Sequence, residues 1–272
     1  MFSTEEKEQK LEQILQRLGS VLIAFSGGVD SSYLLYKAKK VLGDKVLAVT
    51  AESETYQDHE KENAVYMAQK LEAEQILIKT EELSCSDFAS NPPQRCYYCK
   101  KELFTQLRDI ARQRGLQWVC DGANYDDRDD FRPGHKAAQE MEVRSPLMEV
   151  GIRKEEIRRL SQKVGLETWD LPAAACLASR IPYGETITGK KLKAISRAES
   201  YLRSLGHKTL RVRCHNDIAR IEVPKSEIAI LAENGLQIAA HLKELGFTYI
   251  TLDLEGYRSG SMNETLSEEE KE

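Results

Sequence analysis

The sequence predicts an α/β layer fold built on a parallel sheet, followed by a small α+β domain. Two observations point to the first part. Short apolar runs alternate with longer amphipathic stretches, the pattern of strand–helix–strand units. The first of these runs, Val21-Leu22-Ile23-Ala24-Phe25, is continuously apolar and ends at Ser-Gly-Gly, as a strand buried on both faces does. A third observation sets off the second part. Beyond Pro172 to Gly184 the order becomes helix, strand, strand, helix, strand.

In chain order, residues 4–18 predict a helix, with Leu11, Ile14, Leu15 and Leu18 at helical spacing. Val21–Phe25 is the first strand and 29–42 the helix after it. Lys45–Ala51 gives a second strand, 57–71 a helix, Ile76–Ile78 a third strand, 97–114 a helix and Trp118–Cys120 a fourth strand. A polar loop spans Asp121–Gly134, an extended piece Val143–Leu147 and a helix 153–164. The second part reads as a helix at 188–204 and a hairpin-like pair, Thr209–Arg213 and Ala219–Val223, joined by Cys214-His215-Asn216-Asp217. Helices at 225–233 and 235–244 and a last strand, Tyr249–Leu252, complete it. The expected domains are 1–170 and 185–263, with 264–272 an acidic, disordered tail. There is no internal repeat.

The 272 residues are 41% hydrophobic, enough for a real core, and carry 39 basic against 44 acidic side chains, a net −5. That balance predicts no general nucleic-acid or membrane surface. Met1–Leu18 carries seven charged residues and no apolar run, unlike a signal peptide, so a cytoplasmic location is expected. Six cysteines in such a chain suggest thiols, metal or catalysis more than disulfides.

The chemistry starts at Ser26-Gly27-Gly28-Val29-Asp30-Ser31-Ser32, where a strand hands over to a helix. Glycines let the backbone close on an anion, the helix start presents amides and a positive dipole end, and Ser26, Ser31 and Ser32 add hydroxyls. Asp30 suits a phosphate site only with a cation, so Mg²⁺ is expected beside it. The spacing is neither a Walker A loop nor a dinucleotide fingerprint. It resembles the PP-loop of the ATP-pyrophosphatases (the adenine nucleotide alpha hydrolase-like fold), which implies ATP cleavage to AMP and pyrophosphate, with adenine held by backbone near Thr50 and Ala51. The plainer reading is a glycine-rich turn before a helix.

Further segments carry a narrower resemblance: Arg95-Cys96-Tyr97-Tyr98-Cys99-Lys100, Asp121-Gly122-Ala123-Asn124, Asp126-Asp127, Arg132-Pro133-Gly134, Arg144-Ser145-Pro146-Leu147, Ala175-Cys176-Leu177-Ala178-Ser179-Arg180, Arg211-Val212-Arg213 and Gly256-Tyr257-Arg258-Ser259-Gly260-Ser261. Together they resemble the LarE family, ATP-dependent sulfur transferases of nickel-pincer cofactor synthesis for lactate racemase. The resemblance implies adenylation of a carboxylate of pyridinium-3,5-biscarboxylic acid mononucleotide and its conversion to a thiocarboxylate. It also implies a homo-oligomer, with a hexamer as one form. Cys176 becomes the sulfur-transferring thiol, with Arg180 four residues on as a cationic neighbour. Arg211 and Arg213, alternating on one strand face, become a seat for the substrate phosphate, joined by Glu199 and Glu222.

Composition alone makes Cys176 a buried structural thiol among Ala173, Ala174, Ala175 and Leu177, and the two arginines a solvated pair. The sulfur source stays open among three readings: sacrifice of Cys176 to dehydroalanine, a 4Fe-4S cluster on Cys96, Cys99 and Cys176, or zinc with Cys214 or His215. Rival functions are an ammonia-using amidating synthetase of the NAD or GMP type and a tRNA thiolase. The first needs no special cysteine, and the second lacks a basic, aromatic-laced surface here.

Overall fold

The computed structural model describes residues 2–128, 133–172, 175–258 and 260–267. The chain divides into two compact units, 1–82 with 96–174, and 83–95 with 175–272.

The first unit opens with α1 (Thr4–Leu18), started by a capping box between Ser3 and Glu6, with Leu11, Leu15 and Leu18 buried along one stripe. Next come β1 (Val21–Ala24), α2 (Val29–Leu42), β2 (Val46–Glu52), α3 (Asp58–Lys70) and β3 (Glu74–Lys79). A short α4 (Ser86–Ala89) belongs to the second unit. The first then resumes with α5 (Arg95–Gln113), β4 (Trp118–Cys120), α6 (Gly134–Glu140), α7 (Pro146–Glu149) and α8 (Lys154–Lys163).

All four strands are parallel, in the order β3-β2-β1-β4. Alternate strand residues feed two apolar layers: Val21, Ile23, Val46 and Ala48 pack with α1, α2, α3 and α8, while Leu22, Leu47, Val49 and Val119 pack with α5 and α6. Burial on both faces is why these strands read as unbroken apolar runs. The strand order reverses between β1 and β4, so the crevice at their carboxyl ends is a topological switch point.

The second unit contains α9 (Gly189–Ser204), β5 (Arg211–His215), β6 (Ile218–Glu222), α10 (Ile228–Glu233), α11 (Gly235–Glu244) and β7 (Tyr249–Leu252). β5 and β6 are antiparallel, and β7 joins β6 in parallel. Val212, Cys214, Ala219 and Ile221 form a buried apolar face, leaving Arg211, Arg213, His215, Arg220 and Glu222 on the other.

Three expectations need correction. Residues 83–95 lie in the second unit rather than in a continuous 1–170 domain. Asn91 is the reason: fully buried, its amide donates to the carbonyls of Ile181, Pro182 and Glu185, and its own carbonyl accepts from Gly184 N. The hairpin turn is two residues long, because Asn216 takes the left-handed conformation (φ 53°) and β5 runs on through Cys214 and His215. The tail does not begin at 264, since Ser261–Thr265 is a turn of 3₁₀ helix and Leu266 is buried. Arg132, Ala173, Ala174, Ser259 and 268–272 lie outside the described residues.

Candidate active site

In the first unit the phosphate loop links β1 to α2. Gly27 is left-handed (φ 71°), and a Cβ there would lie 2.6 Å from the Ala64 Cα on α3, so only glycine fits. Its carbonyl accepts from Asn63 Nδ2 at 2.7 Å. Gly28 caps α2 with no side-chain hydrogen bond, which leaves the first-turn amides open to an anion. The Ser26 and Ser31 hydroxyls lie 3.0 Å apart, and the buried Ser32 Oγ has no partner. From β4, Gly122 approaches so closely that a Cβ would sit 3.0 Å from Ser31 N. The buried Thr50 hydroxyl donates to the Phe25 carbonyl and accepts from Gln75, which leaves the expected backbone contact to adenine as it stood.

Asp30 is the electrostatic centre of this loop. One oxygen, Oδ2, accepts from Lys154 Nζ at 2.6 Å, while the buried Oδ1 has no hydrogen-bond partner. Burial pushes its carboxyl group above the usual range and Asp127 adds to that, against the pull of Lys154 and Arg158. A half-paired buried carboxylate beside open amides suits a hard cation bridging to phosphate oxygens, so the residues present fit Mg²⁺. Lys154 escaped the sequence reading, since a lysine at a helix start carries no motif. The loop after β4 is tied by its own turns: Asp127 Oδ2 accepts from Asn124 N, and Asp126 accepts from Lys154 N and Arg153 Nη1.

Two sequence-predicted cysteines lie at the start of α5 in this unit. Cys96 is exposed and Cys99 is half-buried, with its thiol 3.7 Å from the buried Glu82 carboxylate.

In the second unit Cys176 is half-buried and starts a 3₁₀ turn, Leu177–Arg180. The buried Arg180 guanidinium donates to the Ala175 and Cys176 carbonyls and, through Nε and Nη2, to Glu199 at 2.9 and 3.0 Å. The expected charge beside Cys176 is therefore spent on its backbone and on Glu199, so Arg180 positions the turn. Glu199 also accepts from Arg203 and from Val212 N. Arg213 donates to Glu222, Ser261 and the Ser179 carbonyl, and Arg220 also donates to Glu222. Arg211 lies with its guanidinium carbon 5.3 Å from the centre of the Tyr257 ring, its pKa lowered by burial and by the Arg180 charge. The structure thus divides the four expected phosphate-site residues into a Glu199 group and a Glu222 group, with arginines in excess of glutamates in both.

Burial pushes the Cys214 thiol up to about 11, and it faces the apolar side of β5, opposite His215. Within each unit, the described residues hold no group of three or more His, Cys, Asp or Glu side chains placed to ligate a metal. No helix among them is long and apolar enough to cross a membrane.

Residues 4–110 match the NAD synthase family. The chain is 43% identical over 265 residues to an uncharacterized protein of Synechocystis sp., covering 97% of this chain and 99% of the other. It is 42% identical over 268 residues to the pyridinium-3,5-bisthiocarboxylic acid mononucleotide synthase of Lactiplantibacillus plantarum, covering 98% and 97%. An uncharacterized protein of Methanocaldococcus jannaschii is 29% identical over 239 residues, covering 88% and 91%.

Proposed function

Since the chain belongs to the LarE family, that of the pyridinium-3,5-bisthiocarboxylic acid mononucleotide synthase, we propose that it is an ATP-dependent sulfur transferase making the thiocarboxylate of that mononucleotide. In the first step a carboxylate oxygen of pyridinium-3,5-biscarboxylic acid mononucleotide attacks the α-phosphorus of ATP. The bond to pyrophosphate breaks and an acyl-adenylate forms. The open first-turn amides of α2 and the Ser26, Ser31 and Ser32 hydroxyls hold the phosphates. Asp30 would hold Mg²⁺, which would supply charge neutralisation at the leaving pyrophosphate.

Cys176 carries the reading past ATP cleavage. It is half-buried, on a turn whose carbonyls Arg180 fixes. Its thiolate displaces AMP to give a thioester, the proton having left to solvent. Loss of the Cα proton to solvent with elimination across Cα–Cβ then breaks the cysteine C–S bond, leaving a thiocarboxylate on the substrate and dehydroalanine at 176. Arg211 and Arg213 bind the mononucleotide phosphate, with Glu222 holding the Arg213 fork and Glu199 acting on Arg211 through its charge.

A second reading rests on Cys96 and Cys99 sharing the first turn of α5. With Cys176 they would hold a 4Fe-4S cluster, which would supply an inorganic sulfide in place of the cysteine sulfur. Cys96 and Cys99 belong to the first unit and Cys176 to the second, so this reading requires ligands from both. In this reading the reaction runs in the cytoplasm on a homo-oligomer, a hexamer being the form to look for by light scattering.

The test is anaerobic purification, then turnover with ATP and the mononucleotide. Mononucleotide-dependent pyrophosphate release with a thiocarboxylate product supports sulfur transfer; amide formation from ammonia would overturn it. Loss of one H₂S from Cys176 in a colourless protein identifies sacrifice, and a brown protein with an unchanged cysteine mass identifies the cluster.

A further inference from the structure

We propose that Lys154 is the resident counter-cation of Asp30, that it competes with divalent metal for this carboxylate, and that it is drawn away by the triphosphate, so that metal entry is coupled to ATP. This rests on the ATP-cleaving role given above to the phosphate loop. The Lys154 ammonium lies 2.6 Å from Asp30 Oδ2, while Oδ1 is buried without a hydrogen-bond partner. The lysine therefore occupies one half of the only carboxylate on the phosphate loop.

Its backbone is pinned. Lys154 N donates to Asp126 Oδ2, and the neighbouring Arg153 holds Oδ1 of the same carboxylate, both at 2.8 Å. The side chain is not pinned. It retains 30% of its exposure and ends a flexible four-carbon stem. Nearby, Asp127 disfavours ionised Asp30, and Arg158 favours it. Two cations cannot share Asp30 cheaply: a divalent ion placed there would meet the ammonium at close range. A bound triphosphate resolves this conflict, because its oxygens offer Lys154 a stronger partner than a single carboxylate. Asp30 is then released to the metal. By linkage, ATP tightens metal binding by the same factor that metal tightens ATP binding.

The test is Mn²⁺ binding followed by electron paramagnetic resonance, with no mononucleotide present. In the absence of nucleotide, K154M should bind Mn²⁺ about fivefold more tightly than wild type, on the scale of one partly exposed charge pair. K154R, which keeps the charge, should match wild type. The tightening of Mn²⁺ by a non-hydrolysable ATP analogue should shrink in K154M. Equal or weaker Mn²⁺ binding by K154M would overturn the proposal. A second measurement does not depend on that variant folding. With ¹³C-methylated lysines, the Lys154 signal, assigned by its loss in K154R, should move when the analogue is added without metal; a signal that stays put also overturns it. Neither measurement uses the sulfur acceptor, so failure of sulfur transfer alone leaves this inference standing. Wild-type protein that binds no analogue would overturn both.

Discussion

Arg180 and Glu199 meet through two parallel hydrogen bonds at 2.9 and 3.0 Å, with side chains only 1% and 0% exposed. Removing one partner strands the other charge in the interior. R180M or E199Q should lower stability by about 3–5 kcal/mol, read as a shifted urea midpoint. Burial pushes the Glu199 carboxyl up, but Arg180, Arg211 and the Val212 amide together outweigh it and the net shift is downward. A depressed carboxyl contributes stability above its ordinary range and loses it as pH falls through the depressed value. Wild type should therefore lose stability on the acid side of the glutamate range more steeply than E199Q.

The same pair fixes the turn that carries Cys176. Substituting the thiol separates the two half-reactions. C176A should keep substrate-dependent exchange of labelled pyrophosphate into ATP and should make no thiocarboxylate. Loss of exchange together with product would place Cys176 in the adenylation step instead.

Gly27 should tolerate no side chain. G27A sets a Cβ 2.6 Å from α3 backbone at φ 71°, a strain of about 1–3 kcal/mol before any repacking. Pyrophosphate release should fall below detection and the melting temperature should drop. At Gly122 the nearest atom is 3.0 Å away, so G122A should raise the KM for ATP with a smaller loss of stability.

Asp30 sets function against stability. Burial raises its pKa, so its contribution to stability is present below the ordinary aspartate range and is lost as pH rises through the raised value. At neutral pH the ionised side chain opposes folding. D30N should raise the metal-free melting temperature by about 2–4 °C, the equivalent of about 1 kcal/mol in a chain of this size, and should abolish pyrophosphate release. A wild-type melting temperature that does not fall relative to that of D30N as pH rises above the ordinary aspartate range would contradict this account.

The parallel sheet was legible because its strands are buried on both faces, and the phosphate loop because its glycines follow such a strand directly. Local patterns do not carry long-range pairings. Lys154 lies 124 residues beyond Asp30, and nothing in its own neighbourhood marks it. Arg180 looked like an activator of Cys176 because four-residue spacing suggests a shared helical face, whereas its partner Glu199 lies on another helix. Residues 83–95 carry short, mixed stretches without a clear period, and their assignment depends on hydrogen bonds to backbone some 90 positions away, made by the Asn91 amide and the Ala89 carbonyl.

That asparagine has a practical consequence for dissecting the chain. No single cut separates the two units, because the polypeptide visits the second unit at 83–95 before returning to it at 175. A fragment ending at 174 would keep Asn91 but lose the three carbonyls that satisfy its amide and the backbone amide that caps its carbonyl. It would also expose the buried Phe88. Such a fragment should aggregate on expression, whereas one that replaces 83–95 with a short flexible linker should stay in solution and retain ATP binding.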